Sequence, residues 1–171
     1  MFQPGDMIVY GTNGVCEVVE ITTLNMSGVP ADKQYYVLRP WYHPEHKVFT
    51  PVDNTKVVMR PVMSREEAMD LIHEIPTIPL LTIEYERLRE ECYKSALRGG
   101  NCRSMVSLIK ALYTRSRQRE QEGRKATATD SRYFNMAEDN LHSELAISLG
   151  IPKEEVGAFI DGEIGEAQII F

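Results

Sequence analysis

The apolar residues of this chain keep one spacing up to about residue 62 and another beyond it. No single layer of structure satisfies both, because strands need a period of two and helices one of 3.6. In the first part, Met7-Ile8-Val9-Tyr10 is an apolar run between Gly5 and Gly11. Residues 15–21 follow, rich in β-branched side chains. Between them lies Gly11-Thr12-Asn13-Gly14, whose Asn-Gly pair favours the positive φ of a tight hairpin. Residues 34–38, 47–52 and 56–59 supply three more short runs, and residues 25–32 form a longer polar connection. Five short strands in this space predict a small, strongly bent antiparallel barrel. An open sheet of that size would leave long edges unprotected.

The second pattern begins at Ser64-Arg65-Glu66-Glu67, a capping box with a hydroxyl at Ser64 and a carboxylate three residues on. Ala68, Leu71, Ile72 and Ile75 follow at helical spacing, and Pro76 and Pro79 end that helix. Thr82 caps a second expected helix over 82–97, stopped by Gly99-Gly100. Asn101 caps a third, to about Glu122. Asp130 opens a fourth over 131–149, closed by Gly150, and Pro152 starts a fifth over 152–160. The expected organisation is a β module, 1–62, an all-α module, 63–160, and a tail, 161–171.

Charge separates along the chain in a different way. The net charge of −6 argues against nucleic acid, but residues 94–125 hold 9 basic and 2 acidic residues. Residues 133–171 hold 1 basic and 8 acidic ones. A positive stretch this dense can meet phosphate even on an acidic protein, and it can equally be a solvated helix face. No apolar stretch approaches the ~20 residues a membrane span needs, and MFQPGD lacks the features of a secretory signal. Three cysteines without metal-like spacing read as free thiols in a reducing cytoplasm.

Catalytic and metal motifs do not stand out. His43 and His46 flank Pro44, which favours a turn over a helical zinc site. Gly123-Arg124-Lys125-Ala126-Thr127 lacks the upstream Gly and the Gly-Lys-Ser/Thr order of a phosphate loop. Neither an enzyme nor a cofactor is expected. The third helix is more informative. Met105, Leu108 and Leu112 form an a/d stripe that Val106, Ile109 and Tyr113 widen. Arg103, Lys110 and Arg117 recur every seven residues, so they are expected to line up away from that stripe, with Arg115, Arg119, Arg124 and Lys125 extending the positive region. Such a row can span successive backbone phosphates. Glu144-Leu145-Ala146 through Gly150-Ile151 has the outline of a helix-turn-helix. The helix after it is anionic, so helix packing is the expected reading. In the β module, exposed aromatics beside Arg39 could make a protein-binding edge.

Several motifs taken together resemble the CarD/CdnL family of bacterial transcription regulators. Phe2-x-x-Gly5-Asp6-x-Ile8-Val9-Tyr10-Gly11-x-x-Gly14-Val15 is similar to the family's opening. So are Tyr35-Tyr36-Val37-Leu38, Val48-Phe49-Thr50-Pro51-Val52 and Met59-Arg60-Pro61-Val62. Later, Gly100-Asn101 with Leu108-Ile109-Lys110-x-Leu112 resembles the family's Gly-Asp and basic helix, and Ala137-Glu138 through Ala146 its later helix.

The resemblance implies a Tudor-like, SH3-like β-barrel that binds the RNA polymerase β subunit, and an all-α domain that touches promoter DNA at the upstream fork. It implies open-complex stabilisation without sequence preference. Arg39, Val48 and Phe49 become candidate polymerase contacts. Arg103, Lys110, Arg115, Arg117 and Arg119 become candidate phosphate contacts. The family has a Trp early in the second helix that wedges at the fork. Here Glu86 stands at that position, and Tyr85 is the nearest aromatic and the candidate fork contact. The expected function is a non-enzymatic, cytoplasmic transcription regulator without membrane attachment. A protein-interaction adaptor without DNA binding is the alternative.

Overall fold

The computed structural model describes residues 1–165; the last part of the expected tail, 166–171, lies outside the described residues. The chain divides between Val62 and Met63 into two compact units. The first is a five-stranded antiparallel sheet of β1 (Met7–Tyr10), β2 (Val15–Thr23), β3 (Gln34–Pro40), β4 (Val48–Pro51) and β5 (Met59–Pro61), in the order β4-β3-β2-β1-β5. Ile8, Tyr10, Cys16, Val18, Tyr36 and Leu38 form its buried cluster. Phe2 closes one side, with its ring 6.0 Å from Tyr36 and its backbone N–H donating to the Tyr36 hydroxyl at 3.0 Å. Truncating Leu38, which is fully buried, to Ala should cost about 2–5 kcal/mol.

Three details of this unit depart from the sequence reading. The sheet is open, where a closed barrel was expected. Its edge strands are four and three residues long and end in Pro51 and Pro61, which bring no backbone N–H. Short edges ending in proline meet the edge problem without closure. The β1–β2 link is a 3-10 turn, Gly11–Asn13, with Tyr10 N–H donating to Gly14 O at 2.9 Å. Gly11 has φ +48°, and a Cβ there would come within 2.6 Å of the Val57 side chain, so glycine is required on both counts. The last strand begins at Met59 and not at Lys56. Asn54 makes an Asx turn, its Oδ1 accepting from Lys56 N–H at 2.8 Å, which delays pairing.

The helical unit holds α1 (Arg65–Glu74), α2 (Arg89–Arg98), α3 (Cys102–Gln121), α4 (Ala128–Leu149) and α5 (Val156–Ile164). Ser64 Oγ accepts from Glu67 N–H at 3.1 Å and Ser64 N–H donates to Glu67 Oε2 at 2.7 Å, completing the capping box. Leu71, Ile72 and Ile75 pack with Tyr93 and Leu97, with Leu108 and Ile109, and with Leu141, Leu145, Val156 and Ile160 in one core.

The second helix starts seven residues later than expected. Leu81 N–H donates to Ser107 O at 3.1 Å and Ser107 Oγ to Pro79 O at 2.7 Å, which holds the incoming chain along α3. Tyr85 is still extended, and a 3-10 turn, Glu86–Leu88, precedes α2. The cap of α4 is Thr127, whose hydroxyl accepts from Asp130 N–H at 3.0 Å. Asp130, expected to open the helix, is buried and its carboxylate is occupied elsewhere. Gly150, at φ +69°, ends α4. The fifth helix follows a 3-10 turn, Lys153–Glu155, and runs on into the expected tail.

Candidate functional site

The register of β3 and β4 decides what the sheet offers to a partner. Leu38 pairs with Val48 and Val37 with Phe49. Side chains alternate across a strand, so Val48 and Leu38 share one face while Val37, Arg39 and Phe49 share the other. Leu38 is fully buried and Val48 packs against the same cluster. Phe49, by contrast, is 48% exposed. Two expected contacts, Arg39 and Phe49, thus come together; the third, Val48, lies on the other face, half-buried against the core. Arg39 Nη2 lies 2.5 Å from Glu17 Oε2 on the neighbouring strand, where Glu17 and Arg39 are paired residues. Trp41, just past β3, is 46% exposed and is anchored by its N–H to Val15 O at 2.9 Å. Trp41 is one of the β-module aromatics expected to leave an exposed remainder beside Arg39, but the sequence alone did not say which of them is exposed, and it did not single out Glu17. The first is visible as an exposed aromatic only once β3 ends at Pro40, and the second needs the β2–β3 register.

Beyond Trp41, Glu45 Oε1 lies 3.5 Å from His43 Nδ1 and 3.4 Å from His46 Nε2 on an exposed turn. Backbone hydrogen bonding lowers the Glu45 carboxyl from its usual value, and the two histidines add to that. Among the described residues, no group of three or more His, Cys, Asp or Glu side chains is arranged to hold a metal ion. None of the described helices is long and apolar enough to cross a membrane.

The expected phosphate row on α3 does not exist as a row. Lys110 is only 9% exposed. Its ammonium donates to Ile78 O at 2.6 Å, to Ile75 O at 2.9 Å and to Pro76 O at 3.4 Å. All three donors are used on carbonyls at the end of α1 and the turn after it, so Lys110 is corrected from a phosphate contact to a buried pin. Burial lowers its pKa from the ordinary lysine value. The seven-residue repeat runs along the margin of the apolar stripe, next to the buried Val106 and Ile109, and not opposite it.

The other cations differ in how they are held. Arg103 grips Glu74 through two hydrogen bonds of 2.7 and 2.8 Å. Arg115 lies 2.8 Å from the buried Asp130 and 3.3 Å from Glu86. Tyr93 donates to Asp130 at 2.9 Å and accepts from Arg89 at 3.2 Å. Burial opposes ionisation of Asp130, but the bonds from Arg115 and Tyr93 outweigh it and hold the carboxyl below its usual value. Neither Arg103 nor Arg115 is therefore an uncommitted cation. Arg117 is exposed and pairs with Glu120 at 3.2 Å. Arg119 is half-buried and donates to Lys125 O at 2.8 Å, which folds the chain back after α3. Arg124 and Lys125 are exposed on that link, with Arg124 against Glu122. Arg117, Arg124 and Lys125 are exposed at and just after the C-terminal end of α3. Tyr85 is 57% exposed, with Arg87 Cζ 5.7 Å from its ring centre.

Glu144, in the helix-turn-helix-like stretch, is a buried carboxylate. It accepts from Met63 N–H and from Cys102 Sγ, both at 3.0 Å. It ties the start of the helical unit and the start of α3 to α4, which is a packing role.

The small open sheet presents Arg39 and Phe49 on one side, and the exposed Trp41 follows directly after β3. Residues 2–63, which span the first unit, match the family model of the CarD-like/TRCF RID domain. The match associates the first unit with RNA polymerase-interacting domains. The helical unit lies outside the match, and no curated protein matches the chain.

Proposed function

We propose that this protein is a non-enzymatic regulator of transcription that docks on the β subunit of RNA polymerase through its sheet and rests its helical unit on promoter DNA. The observation that carries the reading is the outward face of Arg39 and Phe49, with Trp41 close by, within the residues matched to the polymerase-interacting family. Exposed aromatics beside an arginine are the residue types that dominate protein interfaces. The setting is the cytoplasm, where polymerase and promoter meet.

The DNA arm uses a smaller set of cations than the sequence implied. Arg117, Arg119, Arg124 and Lys125 cluster where α3 ends, and Tyr85 with Arg87 offers an aromatic surface for the upstream fork. Arginine and lysine on phosphates act with little regard to sequence. Docking on polymerase raises the local concentration of DNA, so a weak cationic surface suffices to modulate open-complex stability.

The adaptor without DNA binding remains the second reading. It is favoured by the pairing of Arg103 with Glu74 and of Arg115 with Asp130. Binding of fork DNA by the full chain, titrated with salt, separates the two. The DNA reading expects log Kd to change with log salt at a slope of roughly 0.9 per phosphate neutralised. The adaptor reading expects no saturable binding at moderate salt.

A further inference from the structure

A cavity of about 360 Å³ lies in the helical unit between the C-terminal half of α3 and the N-terminal half of α4, a size at which cavities take small molecules. Leu112 and Tyr113 line it from α3 and Phe134 lines it from α4. Both aromatic side chains are half-buried. Ser116, Ser131 and Asn135 line it as well. Ser131 and Asn135 stand one turn apart on α4, so they share a face of that helix. Among the described residues, the side chains of Tyr113, Ser116, Ser131 and Asn135 have no hydrogen-bond partner. They are open to a ligand that both donates and accepts.

The charges around the cavity suit a ligand that carries phosphate. Asp130 lines it, but Arg115 at 2.8 Å neutralises that carboxylate. Arg117 directly follows the lining residue Ser116, and Lys125 directly precedes the lining residue Ala126. Both cations are exposed, and the 3.2 Å pair of Arg117 with Glu120 is a surface pair that a phosphate can displace. Aromatic side chains, polar groups beside them and cations at the margin are the contacts that a single nucleic-acid strand makes with a protein. They serve its base faces, base edges and backbone in turn. A base inside a duplex must leave the stack to enter a cavity, whereas an unpaired base is already out of it.

We propose that this cavity takes the base of an unpaired nucleotide, with Tyr113 and Phe134 against its ring and Asn135 at its edge. Arg117 and Lys125 then hold the flanking phosphates. The proposal rests on the reading that the helical unit meets DNA, and it gives that unit a preference for a melted strand over a paired one.

The test compares binding of the full chain to a forked duplex with a single-stranded arm and to DNA of the same length paired throughout. Tyr113→Leu removes the ring and keeps an apolar side chain. It should weaken fork binding about tenfold and change duplex binding by less than about twofold. Tyr113→Phe keeps the ring and should bind the fork nearly as the unaltered chain does. Asn135→Ala, at an exposed position where the fold is indifferent, should weaken fork binding several-fold. Thermal midpoints check that each variant is folded. Unchanged fork affinity in Tyr113→Leu and Asn135→Ala, or an equal loss on fork and duplex, would overturn the proposal and leave DNA binding itself standing. Binding of the unaltered chain to neither DNA would overturn the DNA reading, and the proposal with it. A deoxynucleoside monophosphate that competes as well as the forked DNA would also overturn it, because that assigns the cavity to a free nucleotide.

Discussion

The two units treat their polar and apolar residues by different rules. In the sheet, a period of two sends neighbouring residues to opposite sides, so Val48 packs against the core while Phe49 is presented outward. In the helical unit a cation near the apolar stripe is drawn inward when carbonyls are left over nearby. Lys110 satisfies Ile75 and Ile78 at the end of α1, and Arg115 neutralises the buried Asp130. Strand alternation therefore reports exposure one residue at a time, whereas a run of helix charges mixes surface with scaffold.

The contrast is broken most forcefully at Lys110. Lys110→Glu places a carboxylate against three carbonyl oxygens in a buried site, and should destabilise the helical unit by more than about 3 kcal/mol. Chemical denaturation measures this. A lysine that only met phosphate at the surface would leave stability almost unchanged.

Acid is the next lever. His142 is buried on α4 with Nε2 unpartnered, and its pKa is lowered, first by burial and then by Lys153. A histidine with a depressed folded pKa contributes stability that is present above its unfolded value of about 6.5 and lost as pH falls towards the folded value. Asp130, also depressed, has the same sign in a lower window, with its contribution lost as pH falls from about 3.9 through the folded value. Helical stability should therefore decline in two steps on acidification. His142→Leu should remove the upper step and Asp130→Asn the lower one, as read by melting curves across pH.

Smaller effects are expected on the functional faces. Phe49→Ala should weaken polymerase binding by about tenfold or more with thermal stability little changed. Joint reversal of Arg117 and Lys125 to Glu should weaken fork-DNA binding several-fold. It should also lower the magnitude of the salt slope by about two, since each cation removed leaves one phosphate with its counterion. Unchanged DNA binding in that variant would favour the adaptor reading.

The legible parts of the sequence were those in which local chemistry decides structure. The capping box at Ser64, the stop at Gly150 and the run Met7–Tyr10 follow from residue type and spacing alone. The open sheet was missed because the proline ends of its edge strands matter only once strand order is known. The late start of α2 was missed because Ser107, more than twenty residues on, holds the incoming chain. Of the candidate site, Arg39 and Phe49 were visible as residues, but their shared side depends on register. Lys110 was misassigned for the same kind of reason, since the carbonyls that bury it lie more than thirty residues earlier.

The central claim is tested most directly by the affinity of the full chain for core RNA polymerase after substitution at two adjacent residues of β4. Phe49→Glu should abolish measurable binding and leave the melting temperature close to that of the unaltered chain. Val48→Ala should lower the melting temperature and leave affinity near normal. Undiminished binding by Phe49→Glu would contradict the account.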